Sequence, residues 1–125
     1  MSGKTKRIEE ENQMAKTLIW KEGEKEFKVS FVTDTYVDND NLYVGLEVHN
    51  DDDSTDFFCD ITVNIGEKCD SDCAFVDDNN IPRMERWLCE NGIAEPTGNF
   101  GLSGFCVYSE FRFDMEKIRE FGRKF

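Results

Sequence analysis

Three stretches of this chain alternate apolar and polar residues with a period of two. In EFKVSFVTD, Phe27, Val29 and Phe31 fall on one side while Lys28 and Ser30 fall on the other. NLYVGLEVHN repeats the pattern through Leu42, Val44, Leu46 and Val48, and DFFCDITVNIG through Phe57, Cys59, Ile61, Val63 and Ile65. Successive side chains of a β-strand point to opposite faces, so the pattern predicts half-buried strands with one face on a core. The connections between them are short and rich in Asp, Asn, Ser and Gly, which joins the strands as an antiparallel meander. A short apolar run, TLIW, precedes them, and KEGEKE places Gly23 at a hairpin turn.

The apolar face needs a cover, and two later segments have helical spacing. NNIPRMERWLCENGI brings Ile81, Met84, Trp87 and Leu88 onto one stripe, with Asn80 as the expected N-cap, Pro82 in the first turn and Gly92 just past the end. DMEKIREFG starts at Asp114 as N-cap, stops at Gly122, and turns Met115, Ile118 and Phe121 inward. Between the two, FCVYSEFRF reads as a last strand. No βαβ alternation is present, so the expected fold class is α+β: an antiparallel β-meander of four to six strands packed against two helices. A chain of 125 residues builds one core, which eleven Phe, three Tyr and two Trp can fill. The expected organisation is a flexible polar arm over residues 1–16, which lack apolar periodicity, and a single domain over residues 17–125.

The net charge of −12 is unevenly spread. Residues 34–80 hold fourteen acids against Lys68 alone, or −13, and the remainder of the chain sums to +1. Such a field disfavours direct nucleic-acid binding and favours a basic protein partner. Asp38, Asp40, Asp51, Asp52, Asp53, Asp56, Asp70 and Asp72 are the candidate partner-binding acids. The same residues sit in DNDN, DDDSTD and DSD, where Asp and Asn also serve turns by hydrogen-bonding the local backbone. Whether they form one face or only solvated turns is left open by the sequence. Five cysteines, an odd number, together with the absence of an apolar leader or a run of membrane length, predict reduced thiols in a cytoplasm and no membrane contact. The sequence leaves the oligomeric state open between a monomer, the favoured reading, and an obligate dimer or subunit joined through an exposed sheet edge or aromatic patch.

EPTGNFGLSGF spaces Gly98, Gly101 and Gly104 evenly. A phosphate-binding loop would open a helix and carry a basic residue, whereas this one opens a strand and has no Lys or Arg between Pro96 and Phe111. The glycines are therefore expected to turn a corner over the core. The alternative is a small-ligand or enzyme cleft beside this loop, using Thr97, Gly98, Gly101, Ser103, Gly104, Cys106 and Tyr108. Cys69 and Cys73 make one loose pair beside a single His49, short of a zinc module. The stretch from Asp38 lacks the central Gly and the final Glu of a calcium loop. No metal, no cofactor and no catalytic residues are expected, and a Cys106–His49 nucleophile pair has no local support.

NLYVGL, DITVNI, CAFVDDNN and EPTGNFGLSGFCVYSEFRFDMEKI together resemble a small uncharacterised bacterial domain family encoded on conjugative and other mobile elements of gut Firmicutes. The resemblance runs from about Thr17 to Glu120. It is carried by Ala74–Asp77 with Asn79 and Asn80, by Glu95–Gly98, by Ser103–Cys106, and by Tyr108, Phe111 and Phe113. It implies a single-domain architecture and a mobile-element setting, and it supplies no catalytic residues. It also implies basic residues between the loop glycines, where this chain has Asn99 and Leu102. The combined expectation is a non-enzymatic accessory that binds a basic protein through an acidic face, in one version by mimicking nucleic acid to inhibit a host defence enzyme.

Overall fold

Four strands take up the early segments in chain order, in a computed structural model that describes residues 16–122. They are β1 (Leu18–Glu22), β2 (Lys25–Thr35), β3 (Leu42–His49) and β4 (Thr55–Asp60), each antiparallel to the one before. Gly23 makes the first turn with φ 61°, as its place in the sequence predicts. Val29, Phe31, Val44 and Leu46 are all buried on the core side. Residues 1–15, most of the expected arm, and residues 123–125 lie outside the described residues.

The second half differs from a simple meander. Among the described residues eight strands form two four-stranded sheets: β5 (Thr62–Val63), β6 (Cys73–Val76), β7 (Ala94–Ser103) and β8 (Cys106–Phe113) build the second, in the order β5-β6-β8-β7. DFFCDITVNIG, expected as one strand, changes sheets at Ile61. The Ile61 N–H donates to the Val44 carbonyl at 2.9 Å on the first sheet, and its own carbonyl accepts from the Asp77 N–H at 2.8 Å on the second. The buried Thr62 hydroxyl accepts from the Val44 N–H at 3.1 Å, standing in for the strand partner that Val44 would otherwise lack, and also bonds the Tyr36 hydroxyl at 3.0 Å. The alternation survives this switch because Cys59 and Ile61 face the same core on either side of it.

β6 was hidden in the sequence. All four of its residues are buried, because Ala74 and Val76 enter the main core while Cys73 and Phe75 enter a second cluster with Cys69, Val63, Ile65 and Tyr108. A strand covered on both faces has no alternation to read. The glycine segment was likewise expected as a loop and is instead β7, hydrogen-bonded to β8 as a hairpin. Gly98, φ 96°, sits in the register shift between Pro96 and Phe100, and Gly104, φ 61°, makes the hairpin turn.

Helix α1 (Met84–Glu90) starts later than expected. Its N-cap is Arg83, left-handed at φ 75° and without a side-chain cap. Asn80 instead bonds Asp77, and the Asp78 carboxylate takes the capping role by accepting from the Glu85 N–H at 3.0 Å. Trp87 fastens α1 to the first sheet: its indole N–H donates to the Ile19 carbonyl at 2.9 Å and its ring meets Trp20 edge-on at 5.3 Å. Helix α2 (Met115–Glu120) begins as predicted, with Asp114 accepting from the Glu116 and Lys117 N–H groups. Both sheets and both helices contribute to one main core.

Thr62 should therefore matter beyond its size. Thr62→Val keeps the volume but leaves the Val44 N–H unpaired, and is expected to cost about 1–3 kcal/mol in urea unfolding, the usual penalty for a buried unsatisfied donor. Thr62→Ser, which keeps the hydroxyl, should lose clearly less.

Candidate interaction surfaces

The eight acids singled out in the sequence do not come together. Asp38 and Asp40 lie on the β2–β3 connection, whereas Asp51, Asp52, Asp53 and Asp56 lie on or beside the β3–β4 turn. These are opposite ends of β3, whose eight residues span about 25 Å at roughly 3.3 Å per residue. Part of the β3–β4 set does turn chemistry: Asp52 accepts from the Ser54 N–H at 3.0 Å, and Asp56 accepts from the Asn50 amide at 2.9 Å. Asp70 and Asp72 belong to a third place, where the Arg112 guanidinium pairs with both, at 3.5 and 2.8 Å. Burial works to raise the Asp72 pKa, but the Arg112 bond and charge together with the Cys73 thiol bond outweigh it, and the carboxyl ends below its ordinary range.

One end of the first sheet gathers acids that no local pattern announces. Asp34 and Asp60 lie on the outer face near Tyr43, whose hydroxyl donates to Asp60 at 2.5 Å. Beside them stands the 36–41 connection with Asp38 and Asp40, and against that the 64–68 segment with Glu67. Cross-loop bonds hold the two segments together. The Asn39 amide donates to Asn64 at 3.1 Å, the Asn41 amide donates to the Glu67 carbonyl at 2.7 Å, and the Asn41 oxygen accepts from the Cys69 N–H at 2.9 Å. Lys68, the single base of residues 34–80, donates to the Asn39 carbonyl at 2.7 Å. Val37, 98% exposed, is an apolar tip among these acids. Sequence spacing could not have shown Asp34, Asp60 and Glu67 joining Asp38 and Asp40, because tertiary bonds bring the two loops together.

The candidate pocket residues are distributed along the β7–β8 hairpin. Thr97 donates to the Glu110 carboxylate at 2.6 Å, and that bond holds the Glu110 pKa below its usual range. Gly101 is buried: a Cβ there would collide with Ile65, come within 2.5 Å of the Glu67 carboxylate and within 3.1 Å of Phe75. Tyr108 packs against the second cluster, and Ser103, Gly104 and Cys106 form the hairpin's far end. Two surface concavities stand out among the described residues. The larger of these, about 550 Å³, is lined by Cys89 of α1, the first two residues of β7, Ala94 and Glu95, and the end of β8 with Arg112. The other, about 450 Å³, lies between β1 and α1 around Trp20 and Trp87. The Gly98–Gly104 segment lines neither of these. What the hairpin does expose is apolar: Phe100 and Leu102 are each 66% accessible, Val107 56%, and Phe105 is fully exposed. The alternation of Phe100, Gly101 and Leu102 was the signal for that face, obscured by reading the glycines as a loop.

His49 and Cys106 are set apart, His49 on β3 with its ring 2.7 Å from the Ser30 hydroxyl and Cys106 on the hairpin. Among the described residues no group of three or more His, Cys, Asp or Glu side chains is arranged to hold a metal ion. Also among them, no helix is long and apolar enough to cross a membrane.

A family model described as a domain of unknown function (DUF4313) matches residues 30–125, from the middle of β2 onward. The chain belongs to that family. No curated protein and no solved structure matches it. That description carries no function, so a functional reading rests on the surfaces.

Burial raises three thiols out of the reactive range, Cys59 and Cys69 to about 12 and Cys73 to about 11. Alkylation of the native protein at neutral pH should thus modify exposed Cys89 and half-buried Cys106 first, with Cys59, Cys69 and Cys73 labelled only on unfolding, as peptide mass spectrometry would show. Burial also lowers the pKa of His49, the one histidine in the chain. Its neutral ring is the form the fold favours, so this contribution to stability is complete above the unfolded value of about 6.5 and is lost as pH falls through the folded one. NMR titration should place the ring below that value, and His49→Gln should flatten the stability profile there.

Proposed function

We propose that this domain is a non-enzymatic protein-binding accessory that engages a basic partner through the acidic end of its first sheet. The observation that carries this reading is the set Asp38, Asp40 and Glu67 on two cross-bonded loops, with Asp34 and Asp60 beside them at the ends of β2 and β4 and the exposed tip of Val37 among them. The cross-bonds fix the loops that carry the acids, so a partner has little backbone left to order on binding, and an apolar centre ringed by charge suits a protein surface better than a lone ion. The earlier candidates Asp51–Asp53 and Asp56 become a secondary, turn-forming set, and Asp70 and Asp72 are paired with Arg112. In the mobile-element setting implied by the family resemblance, the partner would be a basic nucleic-acid-binding protein in the cytoplasm, which the domain would occupy as a nucleic-acid mimic.

Association of this kind is steered by charge and weakens as salt screens it. Capture from a host lysate should yield a basic protein at low salt and much less at high salt. Replacing Asp38, Asp40 and Asp60 by Asn should weaken that partner about tenfold or more, or ~1.4 kcal/mol. Replacing Asp51, Asp52, Asp53 and Asp56 by Asn should leave most of the binding. Equal losses from both sets would reduce the effect to net charge, and salt-independent capture would sink the reading.

A further inference from the structure

β7 is an edge strand: it pairs with β8 on one side, and among the described residues no other strand pairs with it. Pro96 and the irregularity up to Phe100 blunt the first half of that edge, but Phe100–Ser103 runs in regular register with Ser109–Cys106. Register puts Phe100, Leu102 and Val107 on one face, the face that carries Phe111 and Ala94 into the core at the hairpin's other end. The apolar surface of the sheet thus runs on past the core and out along the hairpin. The opposite face is occupied, since Gly101 and Tyr108 rest on Ile65 and the second cluster.

Charge narrows what can cover this surface. Residues 96–109 contain no Asp, Glu, Lys, Arg or His, in a chain where 34% of residues are charged. Neither a basic nor an acidic protein surface finds a counter-charge along the hairpin. Its complement is an uncharged apolar strand edge, and every copy of this chain carries one. An antiparallel strand pairing is also its own inverse, so two identical edges can satisfy each other about a twofold axis and close without propagating.

We propose that the β7–β8 hairpin is a self-association surface, on which two copies pair β7 to β7 antiparallel across Phe100–Ser103. Phe100 and Leu102 of each copy lie beside those of the other, Val107 stands one strand further out on the same face, and the two four-stranded sheets become one of eight. Main-chain bonds fix the register, while the aromatic and aliphatic side chains supply the buried area. Each copy carries −12, so repulsion opposes the pairing and salt relieves it. The salt dependence is therefore opposite in sign to that of a basic partner held at the acidic end, and the two surfaces can be told apart.

Sedimentation equilibrium over a range of concentrations, at low and high salt, tests this. The weight-average mass should rise from 14.5 kDa toward twice that value, and should do so at lower protein concentration in high salt. The double variant Phe100→Ser/Leu102→Ser changes exposed side chains without altering charge. It should keep the wild-type circular dichroism and stay at the monomer mass throughout. Amide exchange supplies the second reading: the Phe100–Ser103 N–H groups should slow with increasing concentration in the wild type and not in the variant. A wild-type mass fixed at 14.5 kDa under all conditions overturns the proposal. So does a dimer that the double variant leaves intact, one that salt dissolves, or one that forms without protection at Phe100–Ser103.

Discussion

The switch of sheets at Ile61 is the constraint on which the rest of the structure depends. Asp60 still pairs with Gly45 in the first sheet, and Thr62 already pairs with Val76 in the second. Between them a single residue bonds both sheets through its own N–H and carbonyl, and the Thr62 hydroxyl completes the bonding of Val44. No flexible linker intervenes, so the sheets are held at one fixed relation and can share a core. The same switch delivers residues 64–68 to the end of the first sheet where the 36–41 connection waits. The acidic end is thus a product of the crossing.

How much of this the sequence carried depended on how many faces of each element are buried. β2 and β3 alternate because one side is core, and α2 announced itself through Asp114, whose cap is local. β6 did not, because Cys73–Val76 is covered on both sides and reads as a plain apolar run. The crossing left no trace in DFFCDITVNIG, since Cys59 and Ile61 face one core whichever sheet they belong to. Asn80 looked like the cap of α1, but Asp77 holds it, and the role passed to Asp78 from outside the helix. For the surfaces, the excess of acid between residues 34 and 80 was plain, while its division among two ends of a sheet and the Arg112 pair followed only from topology.

The acidic end and the hairpin obey opposite physics at close quarters. One is charged, fixed by amide cross-bonds and sensitive to salt through attraction. The other is uncharged over fourteen residues and would feel salt only through the repulsion of whole molecules. They touch at Gly101, where the absence of a side chain lets the hairpin settle on Ile65 and Glu67. Even an alanine there would push on the segment that Asn41 holds, so this glycine is needed for close approach and not for a phosphate.

The two sheets also differ in how far along the chain their partners lie, and this bears on the order in which they form. The first is a run of sequence neighbours that can zip up as soon as it is made. The second cannot, because β6 pairs on one side with the two-residue β5 and on the other with β8, beyond both α1 and β7. Distant pairings are slow to close. During synthesis, four consecutive buried-in-the-end residues, Cys73–Val76, must wait for Phe111 and its neighbours to emerge before their main strand partner exists. In that interval they are an open, apolar edge, and the charges of Asp70, Asp72, Asp77 and Asp78 on either side of them are of the kind that disfavours association of such a segment.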